Sequence, residues 1–577
     1  MNIDLKGRPF YLNEEQIGWV KSTISMMPLQ EKIGQLFIDH SGGELDEDYI
    51  KERCHKTCAG GLRYINLEKE DMRRHNLLYK KYSKYPLLIA ANIEAGGNGA
   101  LKCGTKVGEE IKVAATGDSF YAYQMGYIGA LEARAVGCNW AFAPIGDICM
   151  NWRNPIVSTR TWSDKIDVVK EMTCECIRGV HDGGIAATVK HFPGDGVDER
   201  DHHFSFSVNS LSCDEWNDSF GEVYKAAINA DVDAVMAGHI MLPSWQKKLN
   251  PKMSEDDLMP ASLCRELLTG LLREKLGFNG LIVTDATHMA GFSSRMSRKK
   301  ALATAINAGC DMLLFFHVPD EDFMYIKEAV EEGILSVERI DEALLRIFAF
   351  KAKWARSNEE LPSLEVIGCD KHIQIRKEIA DKAITLAKHK ENGVLPISPE
   401  KRRRVMIMPV HTQEGEFFKL VSASLGAVSG ARATAEKIKA KLNAEGFDAE
   451  LFVSPLASGM KSSQYEYKSS IEEFKNKYDL VLTVAECSSF NVTQRLSWDV
   501  PKGGFEIPWY VYDVPVIFIS FASPFHLADV PQVKTMVNCY DSQDVTIDCL
   551  IDKLLGRSEF KGISPVDVFC GLPDTRL

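Results

Sequence analysis

"GFNGLIVTDATHMAGF", residues 277–292, carries the reading that decides the fold. Leu281, Ile282 and Val283 follow one another without polar alternation. That predicts a strand buried on both faces, as in a parallel sheet covered by helices. The run stops at Asp285. A helix is predicted just before it, in "ASLCRELLTGLLREKLG" (261–277), where apolar residues recur three and four apart.

Outward from this unit the same alternation recurs from about residue 30 to 335. Strands are predicted at 33–39, 60–66, 86–94, 139–147, 186–192, 234–240, 280–285 and 311–316, with helices such as 118–137 between them. Eight strands, each followed by a helix, make a TIM-type (β/α)8 barrel, although an open doubly wound sheet has the same local signature. A barrel demands unusual polar residues at the C-terminal ends of its strands, where active sites of this architecture lie. Glu94, Asp147, Lys190-His191, His239, Asp285 and His317 meet that demand. Each alone reads equally well as a helix N-cap or a satisfied polar group; six on one rim point to a site.

The barrel is assigned to residues 1–350 and a helical linker to 351–399, with one helix at 373–397. From 400 to 577 a smaller α/β three-layer sandwich with a parallel sheet is expected. Its strands are read at 404–410, 449–455, 478–486, 515–523 and 533–540, with helices near 432–445, 463–476 and 544–555. No Gly-rich phosphate loop follows its first strand, so no nucleotide is indicated.

The 68 basic and 80 acidic residues leave a net charge of −12, which argues against a nucleic-acid surface. The basic run at 400–405 reads as a solvated face. No secretory start and no membrane-length apolar run are recognised, and the fifteen cysteines lack a disulfide or zinc framework. A cytoplasmic protein with reduced thiols is expected, which leaves the sequon at Asn491 without meaning. No cofactor is implied. A monomer or homodimer fits equally.

"KHFPGDGVDERDHH", residues 190–203, carries the densest chemistry. Asp201 stands two residues before His203, the pairing in which a carboxylate orients an imidazole for general acid/base work. Asp285, held at a strand end, is a candidate nucleophile. A metal reading of the loop would use Asp195, Asp198, Asp201, His202 and His203, but these have no fixed ligand geometry, and no metal is assigned. A merely solvated loop is the other alternative.

These segments resemble glycoside hydrolase family 3, in particular its bacterial β-N-acetylglucosaminidases. The loop is similar to Lys-His-Phe-Pro-Gly-His-Gly, four residues, Asp-Ser-His, and "GFNGLIVTDATHM" to the nucleophile segment. "FAPIGDI…NWRNPIVSTRTWSD", "VMAGHIMLP" and "AINAGCDMLLF" also look like the family, over about 30–345, and the second domain resembles that of two-domain members. The resemblance implies a retaining mechanism in which Asp285 forms a glycosyl-enzyme and His203, paired with Asp201, moves the proton. It implies that Lys190, His191, Arg160 and Asp147 hold sugar hydroxyls, with Glu94 and His239 beside them. The implied activity is exo-release of terminal β-linked N-acetylglucosamine from oligosaccharides or cell-wall fragments. A phosphorylase and a β-glucosidase or β-xylosidase are the alternatives. Three positions depart from the family: Asp195 stands in place of His, Asn92 in place of an acid, and His288 in place of an acid. His202, where relatives tolerate Ser, is not counted among the site residues.

Overall fold

The computed structural model describes residues 3–356, 360–391, 393–410, 430–452, 470–486, 495–498 and 507–577. The chain forms two compact units. The first comprises Met1–Lys106, Ala122–Asn154 and Thr161–Ile373; the second comprises Val107–Tyr121, Pro155–Arg160 and Gln374–Leu577.

The first unit is the barrel. Its strands are β1 (Phe37–Ser41), β2 (Gly61–Tyr64), β3 (Leu88–Ala91), β4 (Trp140–Ala141), β5 (Thr188–Phe192), β6 (Ala234–Ala237), β7 (Leu281–Ala286) and β8 (Met312–Leu314). Seven neighbouring pairs are parallel, including β8 against β1. Parallel bridges Trp140–Ala186 and Ile145–Lys190 join β4 to β5, and the Ala141 amide donates to the Ala186 carbonyl at 2.8 Å. The ring has no free edge, which excludes the open-sheet alternative.

Leu281, Ile282, Val283 and Thr284 are fully buried, as the uninterrupted apolar run requires. Thr284, the one polar residue among them, accepts the Leu314 amide with its hydroxyl at 3.0 Å. The first strand starts later than its sequence pattern indicates, because Leu29–Gln35 is a helix entered at Pro28.

Carboxylates at the two ends of the strands have different partners. Asp233 and Asp311 stand just before β6 and β8. Asp233 is engaged by Lys353, Trp354 and His181, and Asp311 by Arg273 and Arg339. Those pairs brace the floor of the barrel.

In the second unit, β9 (Thr385–His389), β10 (Arg404–Val410), β11 (Asp448–Leu451), β12 (Leu480–Ala485), β13 (Val516–Ser520) and β14 (Thr535–Asn538) form one sheet, in the order β9-β14-β13-β12-β10-β11. All its pairs are parallel except β9 against β14, so the sheet is mixed rather than wholly parallel. The helix expected at 373–397 is Asp370–Ala383, and β9 follows it almost at once. Val405 and Ile407 face helices Ala431–Ala444 and Asp544–Leu554, while Met406 and Met408 face Phe474 of helix Ile471–Lys477. This gives helix–sheet–helix layering. The expected pieces at 453–455 and 463–469, and Asn491, lie outside the described residues.

Candidate active site

Asp285 ends β7, and its Oδ1 accepts the following Ala286 amide at 2.6 Å. That bond turns Oδ2 toward two histidines. His202 Nε2 lies 3.4 Å away and His191 Nε2 3.9 Å. Burial by itself would raise the Asp285 pKa, but the ion pair with His202 holds the carboxyl well below the usual range. The group is an anion poised at the barrel mouth.

Each of the two facing histidines is backed by a carboxylate. His191 Nδ1 lies 2.7 Å from Asp147 Oδ2, and Asp147 Oδ1 accepts the amides of His191 and Asp195 at 3.1 and 2.8 Å. Burial lowers the His191 pKa, with the Asp147 carboxylate pulling the other way. His202 Nδ1 lies 2.7 Å from Asp195 Oδ2, off the ring N–H axis, so the contact is an ion pair rather than an aligned hydrogen bond. Asp195 Oδ1 accepts from Asn154 Nδ2 at 2.9 Å and from the Gly196 amide at 2.7 Å. Burial alone would lower the His202 pKa, but Asp195 and Asp285 on either side push it up to about 10. A buried imidazolium therefore sits between two carboxylates.

His203 differs from its neighbour. Its Nδ1 meets Asp201 Oδ1 at 2.7 Å, and its own amide donates to the same oxygen at 2.8 Å. Its side chain is 35% exposed, against 0% for His202, although the two rings stack with centroids 4.9 Å apart. Asp201 is kept anionic: burial opposes the charge, but the His203 bond and charge outweigh it. The loop is anchored where the Ala290 amide donates to the His203 carbonyl at 3.1 Å. Gly291 permits this approach, since a Cβ there would come within 2.6 Å of the His202 carbonyl oxygen.

The other predicted residues divide. Lys190 Nζ forms an ion pair with Glu94 Oε1, which joins the ends of β3 and β5 at the mouth. His239 is fully buried with both ring nitrogens engaged, Nδ1 with Ser262 Oγ at 2.8 Å and Nε2 with the Ala286 carbonyl at 3.0 Å. It supports the strand end that carries Asp285. Arg160 is buried and belongs to the second unit, so it is not among the side chains the barrel itself assembles. The sequence reading missed His202 and left Asp195 out. The signal was one departure, Asp195, and one position set aside as variable, His202, whose pairing only the folded loop reveals.

Among the described residues, His191, His202 and Asp285 offer three donor atoms within 4.8 Å of one another, a spacing a metal ion could use. No described helix is long and apolar enough to cross a membrane.

Residues 28–350 match the glycosyl hydrolase family 3 N-terminal domain. A Cellulomonas fimi β-N-acetylglucosaminidase/β-glucosidase is 39% identical, with all of both chains covered. A Pseudoalteromonas piscicida β-hexosaminidase A is 28% identical over 57% of each chain. Among solved structures, the β-glucoside phosphorylase BglX superposes with a TM-score of 0.90 at 39% identity, covering 99% of both chains. With a closed barrel, a carboxylate at the end of its seventh strand and this match over more than half its length, the chain belongs to glycosyl hydrolase family 3.

Proposed function

We propose that the protein cleaves terminal β-linked N-acetylglucosamine or glucose from the non-reducing end of its substrates, with retention through a glycosyl-enzyme on Asp285. The observation that carries this reading is the separation of two tools at one barrel mouth. Asp285 is a fixed anion, while His203 sits on a loop, half exposed and oriented by Asp201. Asp285 Oδ2 attacks the anomeric carbon as the glycosidic C–O bond breaks, and His203 delivers its proton to the departing oxygen. In the second step His203 takes a proton from water, which displaces Asp285. Asp147, His191 and the Lys190–Glu94 pair are the proposed hydroxyl contacts within the barrel. Rates on aryl N-acetylglucosaminide, glucoside and xyloside test the substrate class. A preference for xyloside of about a hundredfold, some 2.7 kcal/mol of transition-state binding, would remove the proposed class.

A second reading concerns the acceptor. An imidazole in the acid/base place adds no negative charge, so a phosphate anion meets less repulsion there than at a carboxylate. A protein 39% identical over nearly the whole chain is a β-glucoside phosphorylase. Turnover in phosphate and in a phosphate-free buffer separates the two: sugar 1-phosphate as the main product assigns phosphorolysis, and free sugar at an unchanged rate assigns hydrolysis.

A further inference from the structure

Of the departures from the family pattern, Asp195 is accounted for by its pairing with His202, whereas His288 has no part in the proposed chemistry. His288 stands two residues beyond β7 and is exposed, as is His40 near the end of β1. Phe315, the half-buried residue that follows β8, touches both. The His288 ring lies within 19° of parallel to it, with centroids 6.2 Å apart, and the His40 ring meets it edge-on at 5.2 Å and 74°. We propose that Phe315, flanked by His288 and His40, is the platform of the aglycone site and seats a pyranose ring of the leaving group or acceptor. The proposal rests on the glycosidase reading and names what that reading leaves open, the chemical class joined to the cleaved sugar.

Topology places these rings across the mouth from the hydroxyl contacts. Glu94, Asp147, Lys190 and His191 come from the ends of β3, β4 and β5, whereas His288, Phe315 and His40 come from β7, β8 and β1, which are consecutive in the ring. Burial lowers the His288 pKa and Asp285 pulls it up, with His203 also within electrostatic reach. A ring beside both the nucleophile and the proposed proton donor stands where the bond to the leaving group breaks. The platform is also held from behind. Arg298 donates to the Phe315 carbonyl at 3.0 Å and to Thr287 Oγ1 at 3.1 Å, and the Thr287 hydroxyl donates to the same carbonyl at 3.2 Å. The fully buried Asp322 fixes that guanidinium at 2.6 and 2.8 Å. The ends of β7 and β8 therefore carry His288 and Phe315 as one unit. With the Arg298 charge neutralised behind it, the wall presents an aromatic face and imidazole nitrogens. The negative face of the ring attracts the polarised C–H groups of a pyranose, and the imidazoles at its margin exchange hydrogen bonds with hydroxyls. His288, in place of an acid, adds no second negative charge beside Asp285.

The test uses the full chain with an aryl glucoside or N-acetylglucosaminide as donor and cellobiose as acceptor. In transfer, an acceptor hydroxyl gives its proton to His203 as its oxygen bonds to the anomeric carbon and the ester bond to Asp285 breaks. Separating the products measures transfer to cellobiose against transfer to water. The expected result is transfer that saturates with cellobiose. The transfer-to-hydrolysis ratio should fall about 10-fold in Phe315→Ala and about 3-fold in His288→Ala. Phe315→Leu keeps apolar bulk without a ring, so it should share the loss even where Phe315→Ala disturbs the loop. No release of the aryl group at all removes the glycosidase reading, and the proposal with it. Hydrolysis with transfer that never saturates, a ratio unchanged in both Phe315 variants, or transfer to inorganic phosphate but not to cellobiose overturns the platform alone.

Discussion

Two Asp–His pairs on one loop make opposite use of the same chemistry. Asp195–His202 and Asp201–His203 have equal ring-to-carboxylate distances of 2.7 Å, and the histidines are adjacent in sequence. One pair is buried against Asp285; the other keeps its ring partly open to solvent. A sealed imidazolium between two anions cannot release its proton near neutrality, so it acts as a fixed charge. The partly exposed ring of His203 is the one open to substrate and water, as its proposed role requires. In the proposed mechanism, exposure rather than the pairing itself separates the positioning residue from the proton carrier.

The largest expected effect comes from Asp285, which His191 and His202 face. Asp285→Ala should cost at least about 10^4-fold in kcat/KM on aryl glycosides. A residual rate within tenfold of wild type would break the nucleophile assignment. His202→Gln removes the buried charge and should slow activated and unactivated substrates alike, by about 10^2- to 10^3-fold, in line with the loss of one electrostatic donor. Asp195→Asn should follow it in direction with a smaller loss, and an Asp195→Asn enzyme of full activity would separate the pair.

Gly291→Ala places a methyl within 2.6 Å of the His202 carbonyl and 2.7 Å of His239 Cβ. It should destabilise the protein by about 1–3 kcal/mol and lower activity as the loop is displaced. Unchanged melting and unchanged kcat would show that the loop does not rest there.

The smallest effect uses a buried cation with no carboxylate. Lys351 is fully buried against Gln35 Oε1, and burial lowers its pKa from 10.5 to about 7, with a smaller opposing pull from Cys58. Between about pH 7 and 10.5 the unfolded chain binds the proton and the folded one does not, so this group's contribution to stability rises with pH. Lys351→Met should remove about 1.4 kcal/mol per pH unit of that slope, measured by urea unfolding. An identical slope in the variant contradicts the lowered pKa. His202 shifts the other way only because two carboxylates flank it.

The barrel was legible because buried parallel strands are written as unbroken apolar runs and their ends as polar interruptions. Asp285, Asp147, Glu94 and the Lys190-His191 pair were visible in that way. Ring closure was not, since pairing β4 with β5 and β8 with β1 depends on tilt and register that no local pattern carries. β9 was hidden because "AITLAKHK" follows a helix with no Gly or Pro to mark the change. Asp195 looked like an isolated departure and His202, seven residues on, like a variable position; folding makes them one ion pair. The sequence also gave no measure of exposure, the property that distinguishes His202 from His203.

The central claim is that His203 moves protons and His202 does not. Leaving-group dependence tests it most directly, with kcat/KM for a series of aryl glycosides of rising leaving-group pKa measured on His203→Ala and His202→Gln. The account predicts a steep slope for His203→Ala, with losses of about 10^2- to 10^4-fold confined to poor leaving groups, and a wild-type slope for His202→Gln. A steep slope for His202→Gln with a wild-type slope for His203→Ala would reverse the assignment.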